Sequence, residues 1–390
     1  MRNADIMDQA YVKYHNIERL LSILEGCQPV SRTELTRLSE LSSASVTRIV
    51  SALASLGLVK EVSLTEAGGN GRRRGRRAVN LCTCADGIYT LGCHIDTQCL
   101  RLCLLDFHNQ SRASGEIALC ADDLYPERLA ELIRCRFSRM ASDRVNVRCA
   151  GVSLSGQIDR DSGRVVRSQA LDWTAVDLAA PLSSALGFPV HIENDVNACL
   201  IWECMQRGLL RGGQDAAYLY LGHAGIGFAN TVAGKLVRGL NNAAGEIEDV
   251  VLSLNERLKD HLMEVSLVSR ARLMAPSVSG MGDILDAYRM ELPWARVLMD
   301  DFIGHLNIIL QLIRAMLDPH CIILGGDIPV ILQGCPELLP GGDYTFGERF
   351  ENSCAMGAAV IAMREALRTL ITSAMSPERP HSPTPIPEEE

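Results

Sequence analysis

The sequence predicts an α/β chain in which a small helical module precedes a larger body of alternating strands and helices. Three observations carry this. Apolar residues recur at helical spacing, between capping signals, up to about residue 57. From about Ile88 the pattern changes to short buried strands separated by helical stretches. Charge is also divided: residues 1–80 hold 12 Lys and Arg against 8 Asp and Glu, and the remainder holds 26 against 39. The net charge of −9 therefore hides a basic head on an acidic body, the distribution expected when only one end meets a polyanion. At 390 residues and 47% apolar content, the chain is long enough for two or three domains with real cores.

In the head, Ile17, Leu20, Leu21 and Leu24 share one face of a helix over residues 11–25, which Gly26-Cys-Gln-Pro29 breaks. Ser31-Arg-Thr-Glu34 reads as a capping box opening a short helix through about Ser39. After a Glu40–Ser42 turn, Ser43 is the expected cap of a third helix carrying Val46, Ile49, Val50, Leu53 and Leu56, with Gly57 just past its end. Two strands, Leu58–Val62 and Ala78–Leu81, flank a Gly- and Arg-rich loop. Three helices followed by a two-stranded wing make a winged helix-turn-helix, assigned to residues 1–81. Its third helix opens with Ser43, Ser45, Thr47 and Arg48, residue types that meet base edges and phosphates in a major groove. The loop adds Arg72, Arg73, Arg74, Arg76 and Arg77, suited to the narrow minor groove of A·T-rich DNA. A solvated basic linker is the plainer reading of the arginines alone, and their position in the wing favours DNA contact.

In the body, Ile88–His94 and Leu100–Asp106 read as a hairpin, and Val147–Leu154, Val190–Glu193, Ala216–Leu221 and Cys321–Leu324 as buried strands. A long helix is expected near Asp300–Leu317. The segment 373–390, with five prolines and a terminal Glu-Glu-Glu, is expected to be disordered. The 14 cysteines are scattered singly, and the chain shows neither a secretory start nor an apolar run of about 18 residues. Reduced thiols in a cytoplasmic protein away from membranes are the expectation. The Cys82-Thr-Cys84 pair lacks a second pair at zinc spacing.

Several short motifs occur together and in order: Pro29-Val-Ser-Arg32, Ser45-Val-Thr-Arg48, a Gly-Arg-Arg-Ala78 run, Glu193-Asn-Asp-Val-Asn-Ala198, Gly245-Glu246 and Asp318-Pro-His-Cys-Ile-Ile-Leu-Gly-Gly326. With these the chain resembles the ROK family (repressors, open reading frames and kinases), in its winged-helix sugar-repressor branch, over residues 10–365. The resemblance implies a two-lobed actin/hexokinase-like (ribonuclease H-like) sugar-kinase-type domain, assigned to residues 85–372. It also implies dimers or tetramers, a form suited to a palindromic operator. In the family's kinases an Asn-Asp pair holds a sugar hydroxyl and the Asp is the general base; Asn194 and Asp195 match. The sugar-binding Glu-x-x-His reads Glu246-Ile-Glu-Asp249 here, and a later sugar-binding Glu corresponds to Glu264. Taken singly, each is equally a satisfied surface carboxylate; as a set they favour a sugar pocket.

The departures from the family pattern matter more. Its first phosphate loop, Asp-x-Gly-Gly-Thr, reads His94-Ile-Asp96-Thr97-Gln98, and the second survives only as Gly225-Ile-Gly227. A carboxylate about 4 Å from a phosphate charge costs roughly 4 kcal/mol at an effective dielectric near 20. That is about a thousandfold in affinity. The family's zinc site needs the Glu-x-x-His histidine and three cysteines. Here that histidine is Asp249, no cysteine lies between Asp249 and Glu264, and His261 stands alone. The expectation is a DNA-binding regulator controlled by a sugar or sugar derivative, with no catalytic residues, no metal and no cofactor. The alternative is an ATP-dependent sugar kinase with an accessory DNA-binding head. Control by a protein partner is compatible with the same residues.

Overall fold

The structure, a computed structural model, describes residues 2–63, 79–141, 145–223, 225–335, 338–339 and 341–374. Arg72, Arg73, Arg74, Arg76 and Arg77 lie outside the described residues, as does the tail from residue 375. The chain forms two compact units. One comprises residues 1–89, 106–110 and 364–390; the other comprises 90–105 and 111–363.

The first unit contains α1 (Arg2–Cys27), β1 (Val30–Ser31), α2 (Arg32–Ser39), α3 (Ser43–Ser55), β2 (Val59–Ser63) and β3 (Val79–Thr83). The strands form an antiparallel sheet in the order β1-β3-β2. Ile17, Leu20, Leu21 and Leu24 are buried with Leu35, Val46, Ile49, Val50 and Leu53, so the helical periodicity marks the core faces of α1 and α3. The Glu34 amide donates to Ser31 Oγ, as the capping signal predicts, but the Glu34 carboxylate pairs with Arg37. Only half of the capping box forms, because a guanidinium one turn on outcompetes a backbone amide for the carboxylate.

The cap of α3 is Ser42, one residue before the serine that the sequence favoured: Ser42 Oγ accepts from the Ser45 amide at 3.1 Å. Ser43 is the first helical residue, and its side chain is exposed. The helix closes as the sequence predicts. The Gly57 amide donates to the Ala54 carbonyl and the Leu58 amide to the Leu53 carbonyl, with Gly57 at φ +73°, where a Cβ would be strained.

The second unit holds two five-stranded sheets. The first uses β4 (Tyr89–Ile95), β5 (Cys99–Asp106), β6 (Ser111–Ala118), β7 (Val147–Leu154) and β11 (Val190–Asn194), in the order β11-β7-β4-β5-β6, with β7 and β11 parallel. Helix α4 (Pro126–Met140) precedes β7. A small antiparallel meander of β8 (Gln157–Asp159), β9 (Arg164–Ser168) and β10 (Trp173–Asp177), then α5 (Ala179–Leu186), lie between β7 and β11. Helices α6 (Asp195–Gln206) and α7 (Leu209–Gly212) lead to the second sheet.

That sheet joins β12 (Ala216–Leu221), β13 (Ile226–Val232) and β14 (Lys235–Leu236) to two later strands. Between them come the hairpin β15 (Val251–Ser253) and β16 (Glu256–Arg257), then α8 (Leu258–Leu262), α9 (Glu264–Met274), α10 (Met281–Arg289) and α11 (Pro293–Leu317). Strand β17 (Cys321–Gly325), α12 (Asp327–Leu332), β18 (Thr345–Phe346) and α13 (Phe350–Ala374) complete the fold, and the strand order is β14-β13-β12-β17-β18. The long helix begins at Pro293, earlier than the expected Asp300, because Pro293 occupies the N1 position where a missing N–H costs nothing.

Strands β4 and β7 are buried on both faces, which is why they read as unbroken apolar runs. One face carries Leu91, Cys93, Ala150, Val152 and Leu154 against Leu129, Ile133, Leu178 and Leu182. On the other, Cys103 and Leu105 meet Ala198, Ile201 and Trp202 of α6 and Ala355, Ala358 and Ala359 of α13. Glycines set the spacing there. A Cβ on Gly92 would fall 2.2 Å from the Ala355 carbonyl oxygen, and one on Gly151 1.9 Å from that of Ala358. All 14 cysteines are free thiols, and among the described residues no helix is long and apolar enough to cross a membrane.

Ser42→Ala is expected to lower the stability of α3 by about 1 kcal/mol, and Ser43→Ala to leave it within a few tenths. Hydrogen exchange of the α3 amides in the full chain checks this; equal effects of the two changes would return the cap to Ser43.

Candidate functional site

Strand β11 ends at Asn194 and α6 begins at Asp195, so both side chains sit at a strand-to-helix junction. Asn194 is the N-cap: its Oδ1 accepts from the Asn197 amide at 3.1 Å, and its Nδ2 donates to the Gly156 carbonyl at 3.1 Å. Asp195 is 8% exposed, and its Oδ1 accepts from the Val196 amide at 2.8 Å. Burial, with the charges of Glu246 and Asp96 nearby, pushes its carboxyl up to about 7. Glu246 is also raised, by desolvation and then by Glu248 and Asp249.

Glu193, immediately before this pair, is missed by the sequence reading and is the better buried group. Its carboxylate accepts from Arg238 Nε at 3.0 Å, Arg238 Nη2 at 2.6 Å and Asn197 Nδ2 at 3.0 Å, and Arg160 pairs with it at 3.2 Å. Arg160 comes from the β8–β9 turn and Arg238 follows β14, so a buried anion ties the Asn194–Asp195 junction to two distant segments. Removing one member of such a network typically costs about 3–5 kcal/mol. The available signal was the position of Glu193 inside the Glu-Asn-Asp motif.

Glu264 is the first residue of α9 and lies 3.4 Å from His223 Nδ1. The carboxyl of Asp327, at the start of α12, is raised by burial, then by Glu351 and Glu264. Asp195, Glu246 and Asp96 thus form one electrostatic neighbourhood, and Glu264, Asp327 and Glu351 another. The Tyr220 hydroxyl feels both Asp195 and Asp327. Asp249 Oδ1 takes Arg257 at 2.8 Å and Lys259 at 2.7 Å, and its side chain is half exposed, so the carboxylate is already paired where the sequence expected it to face a sugar. A hollow of about 560 Å³ runs along α11, lined by Tyr288, Asp300, Asn307 and Gln311, and holds none of these carboxylates.

The first loop is closed by its own side chains. Asp96 Oδ1 accepts from the Thr97 amide at 2.5 Å and from the Thr97 hydroxyl at 3.2 Å, and the Asp96 amide donates to the Cys99 carbonyl. His94 is 4% exposed and satisfied: Nδ1 lies 3.2 Å from Ser153 Oγ, whose hydroxyl donates to the Cys93 carbonyl. Burial holds its pKa down at about 4, so the imidazole is neutral near pH 7. In the first unit, Ser43, Thr47 and Arg48 are exposed on α3 and Ser45 is half-buried beneath the Ser42 hydroxyl. Ser51, one turn beyond Thr47, extends the same exposed face and was not singled out. His261 is not alone: Asp301 and His305 of α11 lie beside it.

Two sheets flanked by helices, with carboxylates gathered at strand and helix ends, define an α/β protein of the sugar-kinase-like architecture. Residues 91–258 match the model of the ROK family. It is 28% identical over 239 residues to the Escherichia coli K12 protein named DNA-binding transcriptional repressor Mlc, covering 60% of this chain and 57% of that one. It is 24% identical over 259 residues to the xylose repressor of Bacillus subtilis, covering 64% of each. The matched region thus spans about three fifths of these curated relatives. Among solved structures, a ROK family transcriptional regulator titled a homologue of E. coli Mlc superposes with a TM-score of 0.75 at 21% identity, over 93% of this chain and 99% of that one. The ROK hexokinase of Thermus thermophilus gives 0.60 at 18%, over 71% and 98%. Both likenesses concern the fold.

Asp195 supplies a test. A carboxyl raised in the folded chain contributes stability that is present below its ordinary value of 3.8 and lost as pH rises toward 7. Asp195→Asn is therefore expected to be more stable than the native chain at pH 8, by an amount on the order of a few kcal/mol, and the gap should narrow at pH 5. Thermal melts of both proteins at the two pH values check it; a gap independent of pH would place the charge in water.

Proposed function

We propose that the chain is a transcriptional repressor of carbohydrate genes: its first unit, a winged helix-turn-helix, binds operator DNA, and its second binds a neutral sugar or sugar derivative as effector. The observation that carries this reading is the exposed face of α3. It presents Ser43, Thr47, Arg48 and Ser51, with no large apolar side chain among them, while the apolar face is buried. Small hydroxyl residues allow a helix to approach base edges closely, and one arginine supplies a bidentate contact to guanine or phosphate. The names of the repressor relatives point the same way. Arg72, Arg73, Arg74, Arg76 and Arg77 belong to the reading as minor-groove contacts of the wing.

The second unit supports a ligand rich in hydroxyls rather than one rich in charge. Asp195, Glu246 and Glu264 can accept from sugar hydroxyls, and a carboxyl with a pKa near 7 can also donate. Asn194 contributes what its capping bonds leave free. A nucleoside triphosphate is disfavoured because Asp96 occupies the Thr97 amide and adds a negative charge. The kinase reading therefore ranks second. A dimer reading a palindrome completes the proposal. For the sugar to switch it, the ligand must prefer one conformation, and a hundredfold preference is worth roughly 2.7 kcal/mol.

Selecting bound sequences from random duplex DNA yields the operator, against which neutral pentoses and hexoses and their phosphates can be titrated. Arg48→Ala is expected to weaken binding and relax base preference, and Arg76→Ala with Arg77→Ala to weaken it uniformly and lower the salt slope. A neutral sugar should shift operator affinity at least tenfold. Asp195→Ala should keep the affinity and lose the response. A variant that still responds would move control to another surface, such as a protein partner. In an ADP-release assay over the same sugars the chain should stay at background, and turnover near one per second would restore the kinase reading.

A further inference from the structure

Helix α8 is only one and a half turns long, yet His261 within it is 7% exposed, and its Nε2 is buried without a hydrogen-bond partner. Its Nδ1 lies 2.8 Å from Asp301 Oδ2. Asp301 and His305 are four residues apart on α11 and so share a face of that helix. His305 Nδ1 lies 2.8 Å from the Asp301 carbonyl oxygen, leaving Nε2 with the lone pair, and 3.4 Å from Asp301 Oδ1. The two imidazole rings stack with centroids 3.9 Å apart. Each of the three residues offers a ligand atom, and those atoms lie within 4.8 Å of one another. One further group is present: Arg270 of α9 places Nη1 2.7 Å from Asp301 Oδ2 and 3.4 Å from His261 Nδ1.

We propose that His261, Asp301 and His305 form a binding site for one divalent transition-metal cation of the zinc class. Two imidazoles and a carboxylate are a borderline nitrogen and oxygen set, which suits Zn²⁺ and its neighbours and not the all-oxygen preference of Ca²⁺ or Mg²⁺. Three protein ligands leave a position for water or a fourth donor. His261 Nδ1 and Asp301 Oδ2, 2.8 Å apart, face one point, so a cation there would replace the hydrogen bond between them. An oxygen acceptor on the other ring nitrogen is the usual second contact of a metal-bound histidine, and His305 has one in the Asp301 carbonyl oxygen. Arg270 puts a positive charge on the same carboxylate, and its side chain is one third exposed, so it can yield the site by turning to solvent. The site uses none of the residues of the cysteine-rich motif missing from this sequence. Because α8 leads through Met263 into Glu264 of α9, a bound cation would also stiffen the segment that carries Glu264.

Untagged, chelator-treated full-length protein should take up one Zn²⁺ per chain in competition with a chromogenic chelator. His305→Ala and Asp301→Asn should each weaken uptake at least tenfold. Arg270→Gln should strengthen it severalfold by removing the competing charge, an outcome that loss of fold cannot mimic. Co²⁺ separates this site from the 14 free thiols, because imidazole and carboxylate ligation gives visible bands without a thiolate charge-transfer band. No stoichiometric uptake, uptake unchanged by His305→Ala and Asp301→Asn, or a thiolate band in the native chain would each overturn the proposal.

Discussion

Gly92, Gly151 and Gly357 allow α13 to lie directly on the first sheet and on α6, and the site depends on that contact. A Cβ at Gly357 would fall 1.8 Å from the Ala198 carbonyl oxygen, so the two helices touch backbone to backbone. Their shared surface is alanine-rich: Ala198 on α6 meets Ala355, Ala358 and Ala359 on α13. Cys354 Sγ on α13 donates to the Asp195 carbonyl at 3.5 Å, so the start of α6 is fixed from the same helix. Interiors packed at crystal-like density transmit such constraints, and a single added methyl at Gly357 has no space to relax into. The register of α6 on β4 and β7 then decides where Asn194 and Asp195 stand.

The buried Glu193 network acts on the other side of the same junction. Arg160 and Arg238 are brought to one carboxylate from segments 33 and 45 residues away. Arginine suits this role because its planar fork satisfies the carboxylate while remaining charged. Glu193 is almost fully buried, and Asp195, two residues on, has no cationic partner among the described residues. One carboxylate is therefore paired and structural, while its neighbour is left to titrate near neutrality. Two acids at one strand-to-helix junction thus have opposite environments.

Much of this was legible in the sequence because it depends on local chemistry. Helix faces, the Ser31 and Gly57 caps and the strands β7 and β12 follow from periodicity and capping groups within a few residues. The fate of particular side chains was less legible. Ser42 and Ser43 are chemically equivalent caps, and only the turn set by Glu40 at φ +55° selects the first. Asp249 is paired by Arg257 and Lys259 across the β15–β16 hairpin, whose strands are only two and three residues long. His261 meets Asp301 forty residues later in the chain, a proximity that helix packing creates and no local pattern encodes.

The loop after β4 shows how few residues close a turn of the phosphate-cradle type. A glycine-rich turn leaves its amides free to point at an anion. Here Asp96 supplies the anion internally: its carboxylate accepts from the Thr97 amide, and its charge raises Asp195. His94 next to it is neutral, buried and hydrogen-bonded to Ser153, so it brings no charge to offset Asp96. The same substitutions leave the far side of Asp195 unaltered, where Glu246 and the capped Asn194 remain in place. On the proposed reading, a fold that fills its phosphate amides in this way keeps its hydroxyl acceptors, because the two recognitions draw on different strand ends. On the same reading ligand binding is uncoupled from phosphoryl transfer, and its free energy is available for a conformational change.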